Sequence, residues 1–150
     1  MSDQATAYQK DGVNYLAKII ELFGGYKRRS FEFLRVAPGM AVLDVGCGSG
    51  EDALALAAAL GPNSKVVGVD SSDQMLAAAN QKKAGTPLPV SFQKADAAAL
   101  PFDDGSFDRV RADRVFQHLA DPAPALGEMI RATKAGGWVS ANSAVPLDAY

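Results

Sequence analysis

The stretch VLDVGCGSGED, residues 42–52, decides how the rest of the chain is read. It begins apolar, turns through glycines at positions 46, 48 and 50, and closes on two carboxylates, Glu51 and Asp52. The run AVLDVG at 41–46 is apolar rather than alternating, the pattern of a strand covered on both faces. Behind the glycines, ALALAAAL at 53–60 has the length and propensity of a helix, and Gly61-Pro62 stops it. A buried strand, a glycine turn and a helix make the opening unit of a wound α/β sheet.

The pattern repeats outward. KVVGVD (65–70) reads as a second buried strand. Ser71 and Gln74 have capping-box spacing and open a helix over 73–84. PVSFQKAD (89–96) and FDRVRAD (107–113) are the third and fourth strands. Asp121 is an N-cap and Pro122 an N1 proline; the helix behind them buries Leu126, Met129 and Ile130 and ends at Gly136-Gly137. WVSANSAV (138–145) is the fifth strand. Upstream, Val13, Leu16, Ile19, Ile20 and Phe23 recur at helical steps up to Gly24-Gly25. A second helix over 26–36 carries Phe31 and Leu34, and Pro38-Gly39 closes it. The expectation is one domain over 1–150, with N-terminal helices at 1–36 and a Rossmann-like core at 37–145. That core is a doubly wound, mainly parallel sheet of about five strands with helices on both faces.

Composition narrows the function classes. The chain has 150 residues, 48% of them hydrophobic, with a formal net charge of -2. A domain of that size buries roughly 68–70% of its unfolded surface, enough for a core. The near-neutral balance offers no electrostatic footprint for nucleic acid. No apolar run approaches a membrane span, and MSDQATAYQKDG lacks the regions of a secretory signal. The single cysteine suits a reducing cytosol, so a cytoplasmic setting is expected.

Ligands of a wound sheet sit outside the carboxyl ends of its strands. Gly46 and Gly48 leave the first strand there, with Cys47 between them as a small apolar spacer rather than a reactive thiol. Asp70 ends the second strand twenty residues past Gly50, where an acid accepts hydrogen bonds from both hydroxyls of a ribose. Asp96 ends the third strand, and with Ala97 it puts a carboxylate and an amide near an adenine edge. Met75, on the first turn after Asp70-Ser71, is placed to pack on the adenine face. Asp44 is expected to hold the glycine loop through its amides.

The acids then choose the nucleoside. A dinucleotide fingerprint wants a third small residue at position 51, but Glu51 stands there with Asp52 behind it. A pyrophosphate on that helix N-terminus would face two carboxylates, an unfavourable contact between like charges. A phosphate-free cofactor with a positive sulfonium is favoured instead, which points to S-adenosylmethionine rather than NAD.

Together, VLDVGCGSG, GVD at 68–70, AD at 95–96, LPFDDGSFD at 100–108 and GEMIRATKAGGWV resemble class I S-adenosylmethionine-dependent methyltransferases. Over residues 26 to 140 the chain looks like the small-molecule branch that includes the ubiquinone and menaquinone methyltransferases. The resemblance implies that Gly46 and Gly48 flank the methionine part of the cofactor, Asp70 binds the ribose, and Asp96-Ala97 bind the adenine. It also implies that Arg114, in RADRVFQHL, contacts the cofactor largely by its backbone, while Gln117 and His118 face a small-molecule methyl acceptor.

The sequence departs from the family at its end. Members close the sheet with a sixth strand and an antiparallel seventh, whereas this sequence stops at Tyr150; relative to the seven-stranded fold the expectation is a truncation, an altered reading of the tail, or a fragment. The usual lysine-proline-glycine-glycine turn reads Lys134-Ala135-Gly136-Gly137. An exposed fifth-strand edge invites pairing, so a homodimer is one expectation.

Three functions follow: methyl transfer, a cofactor-binding module without turnover, and a nicotinamide-dependent oxidoreductase on the same fold. For methyl transfer the sulfonium is already activated, so no metal cluster or triad is expected. His118, the only histidine, is the candidate base, or else a structural or solvated residue. Lys27-Arg28-Arg29 is a solvated helix face, or supplies an arginine for the cofactor carboxylate or an anionic acceptor. Trp138 is expected to pack at a strand start.

Overall fold

The computed structural model describes residues 25–142. The helix expected over 13–23 and the last residues of the fifth strand, 143–145, lie outside them. Helix α1 (Gly25–Leu34) leads into β1 (Ala41–Val45), α2 (Glu51–Leu60), β2 (Lys65–Asp70), α3 (Asp73–Lys83) and β3 (Val90–Lys94). β4 (Phe107–Asp113), a short 3-10 turn (Phe116–His118), α4 (Ala123–Ala132) and β5 (Thr133–Asn142) follow. The five strands form one sheet in the order β3-β2-β1-β4-β5, every neighbouring pair parallel. This is the wound sheet that the strand pattern predicts, and it runs to five strands among the described residues.

Alternation along each strand divides the core in two. Val42 and Val66 point to one face, where Phe31 and Leu34 of α1 and Ala53, Leu56 and Leu60 of α2 cover them. Leu43, Val45, Val67 and Val69 point to the other, against Phe107, Val110, Met129 and Ala132. Helices therefore lie on both sides, and β1 between them is buried on both.

Two family-like motifs have a structural explanation. Arg131 of α4 donates to the carbonyls of Phe102 (2.7 Å) and Leu100 (3.0 Å) and to Asp104 (2.9 Å). Glu128 accepts from the Leu100 amide at 2.8 Å and pairs with Arg131. LPFDDGSFD is thus a loop clamped onto α4 by two side chains of GEMIRATKAGGWV. Asp108 adds a second clamp by accepting from the Ala41 amide at 2.8 Å.

Several boundaries differ from the sequence expectation. β3 stops at Lys94 rather than 96, because Asp96 accepts from the Ala98 amide at 2.9 Å and turns the chain there. Ser72, not Ser71, caps α3, its Oγ accepting from the Met75 amide at 3.3 Å. Asp70 Oδ1 already holds the Ser72 amide at 2.9 Å, so Ser71 is spent on the turn and stays exposed. The α4 helix ends at Ala132, four residues before Gly136-Gly137. It buries Ala125, Met129 and Ala132, while Leu126 and Ile130 are exposed, because the small alanines form the face that approaches the sheet. Gly136-Gly137 fall inside β5, in an irregularity where Phe107 pairs with Thr133 but Arg109 with Trp138. Trp138 lies mid-strand and half-exposed, with the Arg35 guanidinium 4.9 Å from its ring centre.

Candidate cofactor site

The winding direction reverses between β1 and β4, which leaves a crevice at their carboxyl ends. A cavity of about 300 Å³ opens there. Asp44 and the loop residues Gly46, Cys47, Gly48 and Ser49 form one wall. Arg111, Asp113 and Arg114 form the opposite wall, with Glu51 and Asp52 from the first turn of α2 and Met75 from α3.

The loop glycines do different work. Gly46 has φ +68, and a methyl placed on it would lie 2.3 Å from Val115 Cγ2, so it packs against the chain leaving β4. Gly48 has φ +56, and a methyl there would meet nothing within 4 Å. Gly48 is therefore where bare backbone faces open space. Cys47 anchors the bend, its amide donating to the Val69 carbonyl at 2.9 Å. Its thiol is pushed up to about 12 by burial, then by Asp44 and Asp70, so it stays protonated and serves packing.

Asp70 is turned toward the bend. Its Oδ2 accepts from the Gly48 amide at 2.9 Å while Oδ1 accepts from Ser72. It performs the loop-holding role that the sequence reading assigned to Asp44, and each oxygen retains a second lone pair for a hydroxyl donor. Asp44 instead pairs with Arg111, Nη1 to Oδ1 at 3.0 Å, with both side chains buried. Burial pushes the Asp44 carboxyl up to about 6 against the opposing pull of Arg111. Arg111 also faces Asp52 at 3.4 Å and Asp113 at 3.7 Å and lies 4.7 Å from the Phe31 ring centre.

Sequence reasoning missed this cluster, although a signal was present. Asp44 and Arg111 are charged residues inside strands that read as buried, and buried charges need partners. The parallel register puts them directly opposite each other.

Glu51 is exposed, paired with Lys82, and accepts from Ser49 Oγ. Those hydrogen bonds, Lys82 first, pull its carboxyl down to about 2, so it is charged at neutral pH. Glu51 and Asp52 thus both line the cavity, which disfavours a pyrophosphate and suits a cation.

Of the nine cofactor residues expected from sequence, Gly46, Cys47, Gly48, Met75 and Arg114 line this cavity. Asp70 does not line it but holds the Gly48 amide that does. Ser71 is exposed beside it, and Asp96 and Ala97 lie past the end of β3. Arg114 has φ +55, and its amide already donates to the Asn142 carbonyl at 2.7 Å, so its side chain and carbonyl are what it offers. Gln117 and His118 are exposed on the 3-10 turn beyond Val115 and do not line the cavity. Of the basic triplet, Arg29 is exposed.

Residues 42–137 match a family model described as a methyltransferase domain, more than half of the chain. The chain belongs to the methyltransferase-domain family. S-adenosylmethionine is the cofactor of this fold group, and the acid-lined cavity with the open backbone at Gly48 fits its cationic, phosphate-free end. The chain is 33% identical over 144 residues to a demethylmenaquinone methyltransferase from Desulfitobacterium hafniense, covering 89% of this chain and 57% of that one. It is 40% identical over 129 residues to an uncharacterized 37.1 kDa transposon protein from Streptomyces fradiae, covering 85% and 37%. A solved SAM-dependent methyltransferase from Aquifex aeolicus matches with a TM-score of 0.66 at 26% identity, covering 79% of this chain and 67% of that structure. The chain spans about half the length of the curated relatives it matches. No helix among the described residues is long and apolar enough to cross a membrane.

Proposed function

We propose that this methyltransferase-family chain moves a methyl group from S-adenosylmethionine to a small-molecule oxygen, nitrogen or carbon nucleophile. The observation behind this reading is the cavity at the β1–β4 reversal, where Gly48 leaves backbone open beside three aspartates and Glu51. The cofactor supplies an activated methyl on a sulfonium. The protein's part is to hold both reactants in line and exclude water. Gly46 and Gly48 shape the methionine end, Asp70 accepts from the ribose hydroxyls, and Asp96-Ala97 meet the adenine with Met75 against its face. Gln117 and His118 stand on the acceptor side, and His118 takes a proton where the acceptor arrives protonated. A cytosolic setting belongs to the same proposal, since Cys47 is a buried free thiol.

Incubating the full chain with labelled S-adenosylmethionine and a panel of phenols, quinols and amines tests it. Label transfer to one class is the expected result, and no transfer by a folded, cofactor-binding chain counts against it. A second reading, cofactor binding without turnover, is favoured by the position of β5 at the sheet edge among the described residues. It predicts a dimer in light scattering with no label transferred.

A further inference from the structure

Among the described residues other than glycine, Arg35 and Arg114 have a left-handed backbone. Arg35, with φ +50, follows the end of α1, where that conformation is an ordinary helix stop. Arg114, with φ +55, follows β4 and lines the cavity, and a residue with a Cβ stays in that conformation only when its surroundings hold it. The hold comes from Asn142 at the end of β5, whose carbonyl accepts from the Arg114 amide at 2.7 Å. Asn142 is itself fastened from a third element: its Nδ2 donates to Ser30 Oγ of α1 at 2.9 Å, across 112 positions of sequence. Ser30 is buried, so water does not readily replace a lost partner there. The next residue, Phe31, has its ring 4.7 Å from the guanidinium centre of Arg111, which also lines the cavity. Neither Ser30 nor Phe31 lines the cavity, yet each is tied to a wall residue.

We propose that Asn142 is a positioning residue for the β1–β4 cavity: its carbonyl sets Arg114, Ser30 docks its side chain, and the seating of α1 is thereby coupled to ligand binding. The inference rests on the reading of that cavity as the cofactor's methionine end. Both ties from α1 reach the β4 side of the cavity, where Arg111 and Arg114 stand three positions apart. A shift of α1 therefore moves one wall, while the glycine loop opposite is held separately by Asp70 and by the Cys47 amide. Coupling of this kind is reciprocal, so a ligand that needs Arg114 in place also tightens α1.

Calorimetric titration of the full chain with S-adenosylhomocysteine and with adenosine provides the test. Asn142→Ala and Ser30→Ala each remove the bond between β5 and α1 and leave every cavity-lining side chain in place. Each should weaken S-adenosylhomocysteine by about 2- to 10-fold, the range for one hydrogen bond between neutral groups, and the double variant should lose no more than either single one. Adenosine, which lacks the amino-acid end, should bind all three variants as it binds wild type. Wild-type affinity for S-adenosylhomocysteine in both single variants, additive losses in the double one, or an equal loss for adenosine overturns the proposal and leaves the cofactor reading intact. Binding of neither ligand to wild type removes that reading, and the proposal with it. If the variants do not fold, hydrogen exchange of the wild type decides. S-adenosylhomocysteine should slow exchange at the amides of α1 as well as at Arg114, and slowing that leaves α1 unchanged overturns the coupling.

Discussion

The two sides of the glycine bend are built on opposite principles. At the β2 end, Asp70, Ser72 and Met75 are half-buried or exposed, and the hydrogen bonds of Asp70 and Ser72 go to backbone amides, two of them within a turn and one to Gly48. At the β1–β4 end, Asp44 and Arg111 are buried and bond to one another across strands. The first end is the more local in sequence; the second joins partners 67 positions apart and is sensitive to loss of either one. A nucleoside needs hydroxyl and ring contacts that water-facing groups supply. A charged headgroup is read more strongly by charges held out of water.

That contrast is broken most readily at Arg111. Arg111→Met leaves Asp44 buried without its cation, and loss of one partner of a buried pair typically costs about 3–5 kcal/mol of stability, measured by urea unfolding. The loss should be greater at pH 8 than at pH 5, because Asp44 can take up a proton at the lower pH. A loss under about 1 kcal/mol at pH 8 would show that the pair is not a fixed part of the fold.

At the other end, Asp70→Ala should weaken S-adenosylhomocysteine binding by about 30- to 1000-fold, equivalent to about 2–4 kcal/mol. It removes both the ribose acceptor and the hold on the Gly48 amide. A loss under threefold in calorimetry would place the ribose elsewhere.

The Asp44 carboxyl gives the β1–β4 end a pH signature. Its folded pKa is about 6, above its ordinary 3.8, so the native state holds that proton more tightly than the unfolded chain. Its contribution is therefore full below pH 3.8 and is lost as pH rises through 6. Asp44→Asn should remove that decline from the stability profile, read as thermal midpoints between pH 4 and 7. An unchanged profile would mean that Asp44 is charged throughout.

The smallest effect sharpens a boundary. Ser72→Ala should cost about 1 kcal/mol through loss of the α3 cap, whereas Ser71→Ala should stay within about 0.5 kcal/mol. The reverse order would restore the capping position read from sequence.

The legible parts of the molecule were the local ones. Apolar runs of five or six residues marked the strands, and the spacing of Gly46 and Gly48 marked the bend that lines the cavity. What escaped was whatever depends on register or competition between neighbours. The Asp44–Arg111 pair follows from β1 lying beside β4, an adjacency that sequence separation conceals. The cap moved to Ser72 because Asp70 had already taken that residue's amide. Leu126 and Ile130 share a helical period with Met129, but the alanine stripe at 125 and 132 turned that face to the sheet. The helix boundary at Gly136-Gly137 failed because β5 absorbs both glycines within an irregular register.

The central claim is that the acid-lined bend between β1 and α2 accepts a phosphate-free cationic nucleoside. Thermal-shift titration of the full chain with S-adenosylmethionine and with NAD tests it most directly. A saturable rise in melting temperature with S-adenosylmethionine and none with NAD is the predicted result; a rise with NAD alone would contradict it.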